Sequence, residues 1–212
     1  ASAHAASMGG SDIWLKEGET MSVNDLIKAT VIMSANDAAV VLAEHVYGTE
    51  DEFVKQMNIR AKQLGMNDTT FKNCNGLDED GHLTTAHDVA LMSAELIKHE
   101  KIFDYTLTWM DYVRDGETQL VNTNKLIRSY KGITGLKTGT TSQAGSCISA
   151  TAKRDNLSLV AVVLGCSTTD ERFTSASTLL DYGFANFSFA SLQMPELGTV
   201  PVTNGIQGEV QA

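Results

Sequence analysis

The chain has 212 residues, 42% of them hydrophobic and 20% charged, which is enough to bury a core of its own; 16 Lys plus Arg against 26 Asp plus Glu leave a formal charge of −10. That balance repels phosphate backbones and anionic membrane surfaces and disfavours nucleic-acid binding, and the apolar run Leu157 to Leu164 is strand-sized, far below the ~18 residues of a membrane span. Cys74, Cys147 and Cys166 are too few and too scattered for a disulfide framework or a zinc site.

The opening residues, Ala1 to Gly10, show neither an initiator methionine nor the basic and apolar regions of a signal peptide, and they are expected to be part of something longer. Ser22 with Asp25 predicts the start of a helix through Leu26, Ile27, Ala29, Thr30 and Met33 to about Ser34. Asp37 to Tyr47 predicts a buried helix stopped by Gly48, and Thr49 with Glu52 opens another over Glu50 to Leu64, with Phe53, Met57, Ala61 and Leu64 on one face. From Met66 to Thr84 periodicity is lost, which predicts a long structured loop of the kind that lines sites. Thr85 with Asp88 caps the next helix, to about His99.

Trp109 to Arg114 and Glu117 to Val121 predict a hairpin with a type I′ turn at Asp115-Gly116. Strands follow through Leu136 to Thr140, Ser146 to Lys153 and Leu157 to Leu164, the last two joined by a tight Arg154-Asp155-Asn156 turn. Thr169 is expected to cap a last helix running to about Phe187. Residues 189–212, with Pro195, Pro201 and three glycines among β-type residues, read as a linker entering a β module.

Two short strings carry chemistry: Ser34-Ala35-Asn36 at a helix junction and Lys137-Thr138-Gly139 on a strand. Taken singly, the first is an ordinary helix-capping turn and the second a solvated strand end. In this order and on these elements they match the second and third signatures of active-site serine penicillin-binding enzymes and serine β-lactamases. A rigid corner at Ser34 can present a hydroxyl for proton relay to a leaving amine, and Asn36 an amide that orients substrate and the neighbouring lysine. Lys137 supplies positive charge, and Gly139 lets an extended peptide approach the strand.

The resemblance extends through SANDAAVVLAEHVYG from Ser34, MNIRAKQLGM from Met57, FKNCNGLDEDGHLTTAHDVALM from Phe71, NTNKLI from Asn122, GLKTGTTSQAG from Gly135 and ERFTSASTLLDYGF from Glu171. Over about Ala1 to Phe187 the chain resembles the D-alanyl-D-alanine carboxypeptidases of the low-molecular-mass penicillin-binding type. The resemblance implies an α/β fold, an antiparallel sheet flanked by helices with a helical subdomain, incomplete at its N-terminus, over residues 1–188. It also implies that the Thr140 N–H is one of two oxyanion donors and that Thr138 binds the substrate carboxylate, with Arg172 as a further carboxylate ligand. No metal or organic cofactor is implied. The partners would be peptidoglycan stem peptides ending in D-Ala-D-Ala and β-lactams, and the location extracytoplasmic.

One departure stands out: no serine here is followed by lysine at the third position, so the family's Ser-x-x-Lys nucleophile is missing, and the resemblance places it upstream. The sheet is then expected to present an unpaired edge that favours a dimer, strand exchange or a retained N-terminal fragment. A class A β-lactamase would need a Glu-x-x-x-Asn string between the two motifs, and none is convincing. A transpeptidase or a non-catalytic muropeptide-binding relative would share the same strings. Asp78-Glu79-Asp80-Gly81 fails as a calcium loop, because alignment on Gly81 leaves Gly76 and His87 in the ligand positions.

Overall fold

Side-chain oxygens open the helices where the capping residues predict them. In the computed structural model, which describes residues 1–190, 199–201, 203 and 209–211, Ser2 starts a one-turn helix α1 (Ala3–Ala6), too short to show a sequence period. Ser22 accepts from the Asp25 N–H to open α2 (Val23–Lys28), which widens into a π-helical turn, Ala29–Met33. The Ala35 N–H reaches back to the Ala29 carbonyl at 3.1 Å, so the helix ends in a loosened turn instead of running regularly to Ser34. Next come α3 (Asn36–Tyr47) and α4 (Glu50–Gln63), the latter capped by Thr49, and then α5 (Ala86–Leu96), capped by Thr85.

α5 is shorter than its periodicity suggested. A one-turn helix α6 (Phe103–Thr106) follows, and after the hairpin comes another, α7 (Leu126–Ser129). In the hairpin, β1 (Met110–Val113) pairs with β2 (Thr118–Val121). Asp115 and Gly116 have φ of +51° and +96°, the signs a type I′ turn requires. The loop takes four residues rather than two, because Arg114 leaves the ladder to donate to Glu19 Oε1 and the Ile13 carbonyl, both at 2.7 Å.

The main sheet is antiparallel in the order β3 (Ile133–Thr141), β4 (Gly145–Arg154), β5 (Leu157–Cys166), with Thr138 opposite Ile148 and Ile148 opposite Val163. Helix α8 (Thr169–Asn186) lays Phe173, Ala176 and Leu180 on Ile148, Ala150, Ala152 and Ala161. Burying side chains such as Ile148 and Leu180 contributes about 1.5–3 kcal/mol each relative to exposure. On another side, α5 meets the sheet through a buried hydrogen bond, Ser93 Oγ to Ser149 Oγ at 2.7 Å. A second core holds Ile13, Leu26, Ala29, Ile32, Ala35 and Ala38 with Val113 and Leu120 of the hairpin. The result is the expected antiparallel sheet flanked by helices, with a helical subdomain.

β3 begins three residues before the apolar pattern suggested, since the Lys153 N–H donates to the Gly132 carbonyl at 2.7 Å and extends the ladder. Gly132 has φ +85°, and a Cβ there would sit 2.7 Å from the Lys153 carbonyl oxygen. Gly132→Ala is therefore expected to lower the unfolding free energy by about 2 kcal/mol. Urea denaturation reads this directly, and an unchanged midpoint would contradict it.

Among the described residues β5 pairs only with β4, so its other edge carries no strand. In the tail, β6 (Thr199–Pro201) pairs antiparallel with β7 (Glu209–Gln211); the rest of the expected linker and β module, 191–198, 202, 204–208 and 212, lies outside the described residues. Among the described residues no helix is long and apolar enough to cross a membrane.

Candidate active site

Ser34 ends the π-helical turn at φ +65°, a left-handed conformation that a residue with a Cβ adopts only when its surroundings impose it. Those surroundings are visible. Ala35 is buried in the helical core, the Asn36 N–H donates to the Ser11 carbonyl at 2.7 Å, and Asn36 Nδ2 donates to the Gly9 carbonyl at 2.7 Å. The buried Asp37 carboxylate accepts from the N–H groups of Ile13 at 3.3 Å, Leu15 at 2.9 Å and Ala38 at 2.8 Å. Residues 9–15 are thus stitched onto the corner. Gly10, at φ +88°, lies so close that a Cβ would be 2.8 Å from Asn36 Nδ2.

Strand β3 brings Lys137 to this corner, where its Nζ donates to Ser34 Oγ and, at 2.8 Å, to the Thr138 carbonyl. Burial, with a smaller contribution from the positive Arg172, pushes the Lys137 pKa down to about 8. A lysine with such a value exchanges protons readily near neutral pH, which suits a relay.

Arg172, in the first turn of α8, is only 5% exposed. Its Nη1 donates to the Gly139 carbonyl at 2.9 Å, Thr140 Oγ1 at 2.9 Å and the Cys147 carbonyl at 3.4 Å, and the guanidinium lies 4.9 Å from the centre of the Phe173 ring. Nε is buried without a hydrogen-bond partner among the described residues, and burial lowers the guanidinium pKa. A Cβ at Gly139 would meet nothing within 4 Å, so the strand has open space between Lys137 and Thr140.

The structure therefore joins Ser34 with Lys137, and Gly139 and Thr140 with Arg172. It turns two candidates elsewhere. Thr138 is buried with Oγ1 2.5 Å from Thr123 Oγ1, and the Asn36 amide nitrogen is committed to the Gly9 carbonyl. Asp37 and Thr123 escaped the sequence reading. Asp37 adjoins the Ser-x-Asn string and Thr123 lies within NTNKLI, so position beside a motif was the only available signal.

The Cys74 thiol pKa is pushed up, chiefly by burial, so it is not poised as a nucleophile, and the Cys147 thiol donates to the Ala144 carbonyl at 3.3 Å. An apolar cavity of about 260 Å³ opens where Phe53, Met57, Ala61 and Leu64 meet Tyr47, Phe71 and Met92, and none of the candidate residues lines it.

Comparison with known proteins agrees with this geometry. The chain is 48% identical over 189 residues to the D-alanyl-D-alanine carboxypeptidase DacF of Bacillus subtilis, covering 88% of this chain and 49% of that protein. Against DacC of Escherichia coli the identity is 36% over 197 residues, covering 92% and 49%. The chain thus spans about half the length of these curated relatives. Among solved structures, penicillin-binding protein D2 of Listeria monocytogenes in its cefotaxime-bound form superposes with a TM-score of 0.75 at 37% identity, covering 83% of this chain and 72% of that one. Penicillin-binding protein 5 of Haemophilus influenzae reaches a TM-score of 0.85 at 32% identity, covering 95% and 60%. These superpositions show a shared fold, and the D-alanyl-D-alanine carboxypeptidase family profile matches residues 1–168, which include Ser34, Asn36 and the Lys137 strand. By that match, the chain belongs to the D-alanyl-D-alanine carboxypeptidase family.

Proposed function

We propose that the protein to which this chain contributes is a serine-type D-Ala-D-Ala carboxypeptidase that removes the terminal D-alanine of peptidoglycan stem peptides through an acyl-enzyme, and that penicillin acylates it at the same site. The observation that carries this reading is the half-buried lysine of low pKa resting on the Ser34 hydroxyl, with the buried Arg172 of α8 bonded to the same strand at Gly139. The family's nucleophile, the serine of Ser-x-x-Lys, is not among these 212 residues. This chain supplies the other side of the site.

In the reaction, the serine oxygen adds to the carbonyl of the penultimate D-alanine and the C–N bond breaks. The leaving amine takes a proton relayed through Ser34 and Lys137, and water then hydrolyses the ester. A carboxypeptidase must recognise a free chain end, and Arg172 with Thr140 offers charge-assisted hydrogen bonds to that carboxylate. Thr138 and Gly139 complete the strand against which the peptide lies, and Asn36 holds the corner. Relatives solved with cefotaxime and ampicillin support β-lactam binding. An extracytoplasmic location follows from the substrate, and the open edge of β5 supports a further strand there, from a second copy or a retained N-terminal fragment.

The test uses intact mass after incubation with benzylpenicillin. The parent protein is expected to gain one penicilloyl group and the 212-residue polypeptide alone none. A stoichiometric adduct on any serine of Ala1 to Ala212, or no adduct on the parent, contradicts the reading.

A further inference from the structure

The loop between α4 and α5 is far more tightly held than its composition suggests. Asn58 of α4 brackets Phe71, accepting from its N–H at 2.9 Å and donating to its carbonyl at 2.8 Å. Asp88 accepts from the Asp68 N–H at 2.9 Å and the Thr69 hydroxyl at 2.7 Å, and Glu50 accepts from the Cys74 N–H at 3.0 Å. Asn73 closes the tip, accepting from the Gly76 N–H at 2.8 Å and donating to the Leu77 carbonyl at 3.0 Å. All of these anchors lie in the helical layer or within the loop.

One residue breaks that pattern. Asp78 Oδ2 accepts from the Ser142 hydroxyl at 2.9 Å and from the Gln143 N–H at 3.3 Å, in the turn between β3 and β4. Hydrogen bonding from the Thr141 hydroxyl, with lesser help from Ser142 and Gln143, holds its carboxyl below the usual range, so the acceptor is charged at neutral pH. The turn follows directly on the segment Lys137 to Thr140. Thr141 also closes the turn, accepting from the Ala144 N–H at 2.9 Å.

The site is built from two layers: Ser34 on the helical side, and Lys137, Thr140 and Arg172 on the sheet side. Ser93 to Ser149 ties those layers in the buried interior, and Asp78 ties them at the exposed turn. We propose that Asp78 is a positioning residue that latches the α4–α5 loop onto the β3–β4 turn and so sets the separation of Ser34 from the Lys137 strand. This rests on the acyl-transfer function proposed above. A small change in that separation affects reaction more than binding, because the reacting groups come from both layers while the Arg172 pocket belongs to the sheet side alone.

The experiment measures acylation of the parent protein by benzylpenicillin, as wild type, Asp78→Ala, Asp78→Asn, Ser142→Ala and the Asp78→Ala/Ser142→Ala double variant. The second-order rate constant is expected to fall about tenfold for Asp78→Ala, and less for Asp78→Asn, which keeps one acceptor oxygen. The double variant should be no slower than Asp78→Ala, since both changes break one contact. Partial unfolding lowers the fraction of molecules that react and leaves the rate constant alone, so a loss seen only in amplitude overturns the proposal. A wild-type rate constant in Asp78→Ala, with the wild type itself acylated, overturns it and leaves the proposed function standing. Absence of acylation in the wild type defeats both.

Discussion

Lys137→Met in the parent protein is expected to lower kcat/KM for a D-Ala-D-Ala peptide by about 10³-fold, within the range that a positioned proton-transfer group supplies, and at the same time to make the fold more stable. The two effects share one cause. The Lys137 ammonium is half-buried and desolvated beside the positive Arg172, and its pKa lies near 8 instead of 10.5. Between those values the unfolded chain binds more protons than the folded one, so stability rises with pH from about 8 to 10.5. Below about 8 the whole penalty is present, ~3 kcal/mol by the size of the shift. Methionine removes the charge and keeps the volume, at the loss of the bonds to Ser34 Oγ and the Thr138 carbonyl, which are worth ~1 kcal/mol net.

The balance is a gain of about 2 kcal/mol at pH 7, and the variant should lose the rise in stability between pH 8 and 10.5. Because the ammonium is the form that donates to Ser34, wild-type kcat/KM should fall as pH rises through about 8. Urea denaturation at several pH values and a pH–rate profile check both halves. An active Lys137→Met variant, or one less stable than wild type at pH 7, contradicts the role given to this lysine.

Arg172→Ala should lower kcat/KM for a free-acid peptide by about 1.5–3 kcal/mol, the worth of a hydrogen bond to a charged group. It should cost much less on the same peptide with its terminal carboxylate amidated, which never makes the contact. The geometry adds a complication that the sequence did not show. Nη1 is already committed to Gly139, Thr140 and Cys147, so the arginine also braces the strand it serves, and a substrate carboxylate must use the remaining donors. Some loss on the amidated peptide is therefore expected from the loosened strand. The ratio of the two losses isolates the carboxylate contact. Equal losses on both substrates would reduce Arg172 to a brace, and no loss on either would remove it from the site.

Local signals served well for the fold. The Ser22, Thr49 and Thr85 hydroxyls each cap a helix because capping is decided within four residues, the last helix is capped by Thr168 instead of the adjacent Thr169, and the three main strands follow their apolar runs. Ser34 and Lys137 were also legible, through motif order and not through any periodicity. What stayed hidden was long-range or irregular. The π-helical turn before Ser34 has no pattern of its own, and the left-handed Ser34 depends on contacts with residues 9–15. Asp78 meets Ser142 across 64 residues through two loops, where no hydrophobic repeat exists to announce the pairing. Arg172 read as a helix-start arginine beside the strands, and its burial emerges only when α8 packs on the sheet.

The central claim is that Ser34, Lys137 and Arg172 serve one acyl-transfer site used by both peptide and penicillin. It is tested most directly by measuring D-alanine release from an N-acylated L-Lys-D-Ala-D-Ala peptide by the parent protein, acylated beforehand to graded extents with benzylpenicillin and weighed in each case. The release rate should fall in proportion to the acylated fraction and reach zero at one adduct per molecule. Release that persists in fully acylated protein, or wild-type protein that takes up penicillin and never liberates D-alanine, would contradict the account.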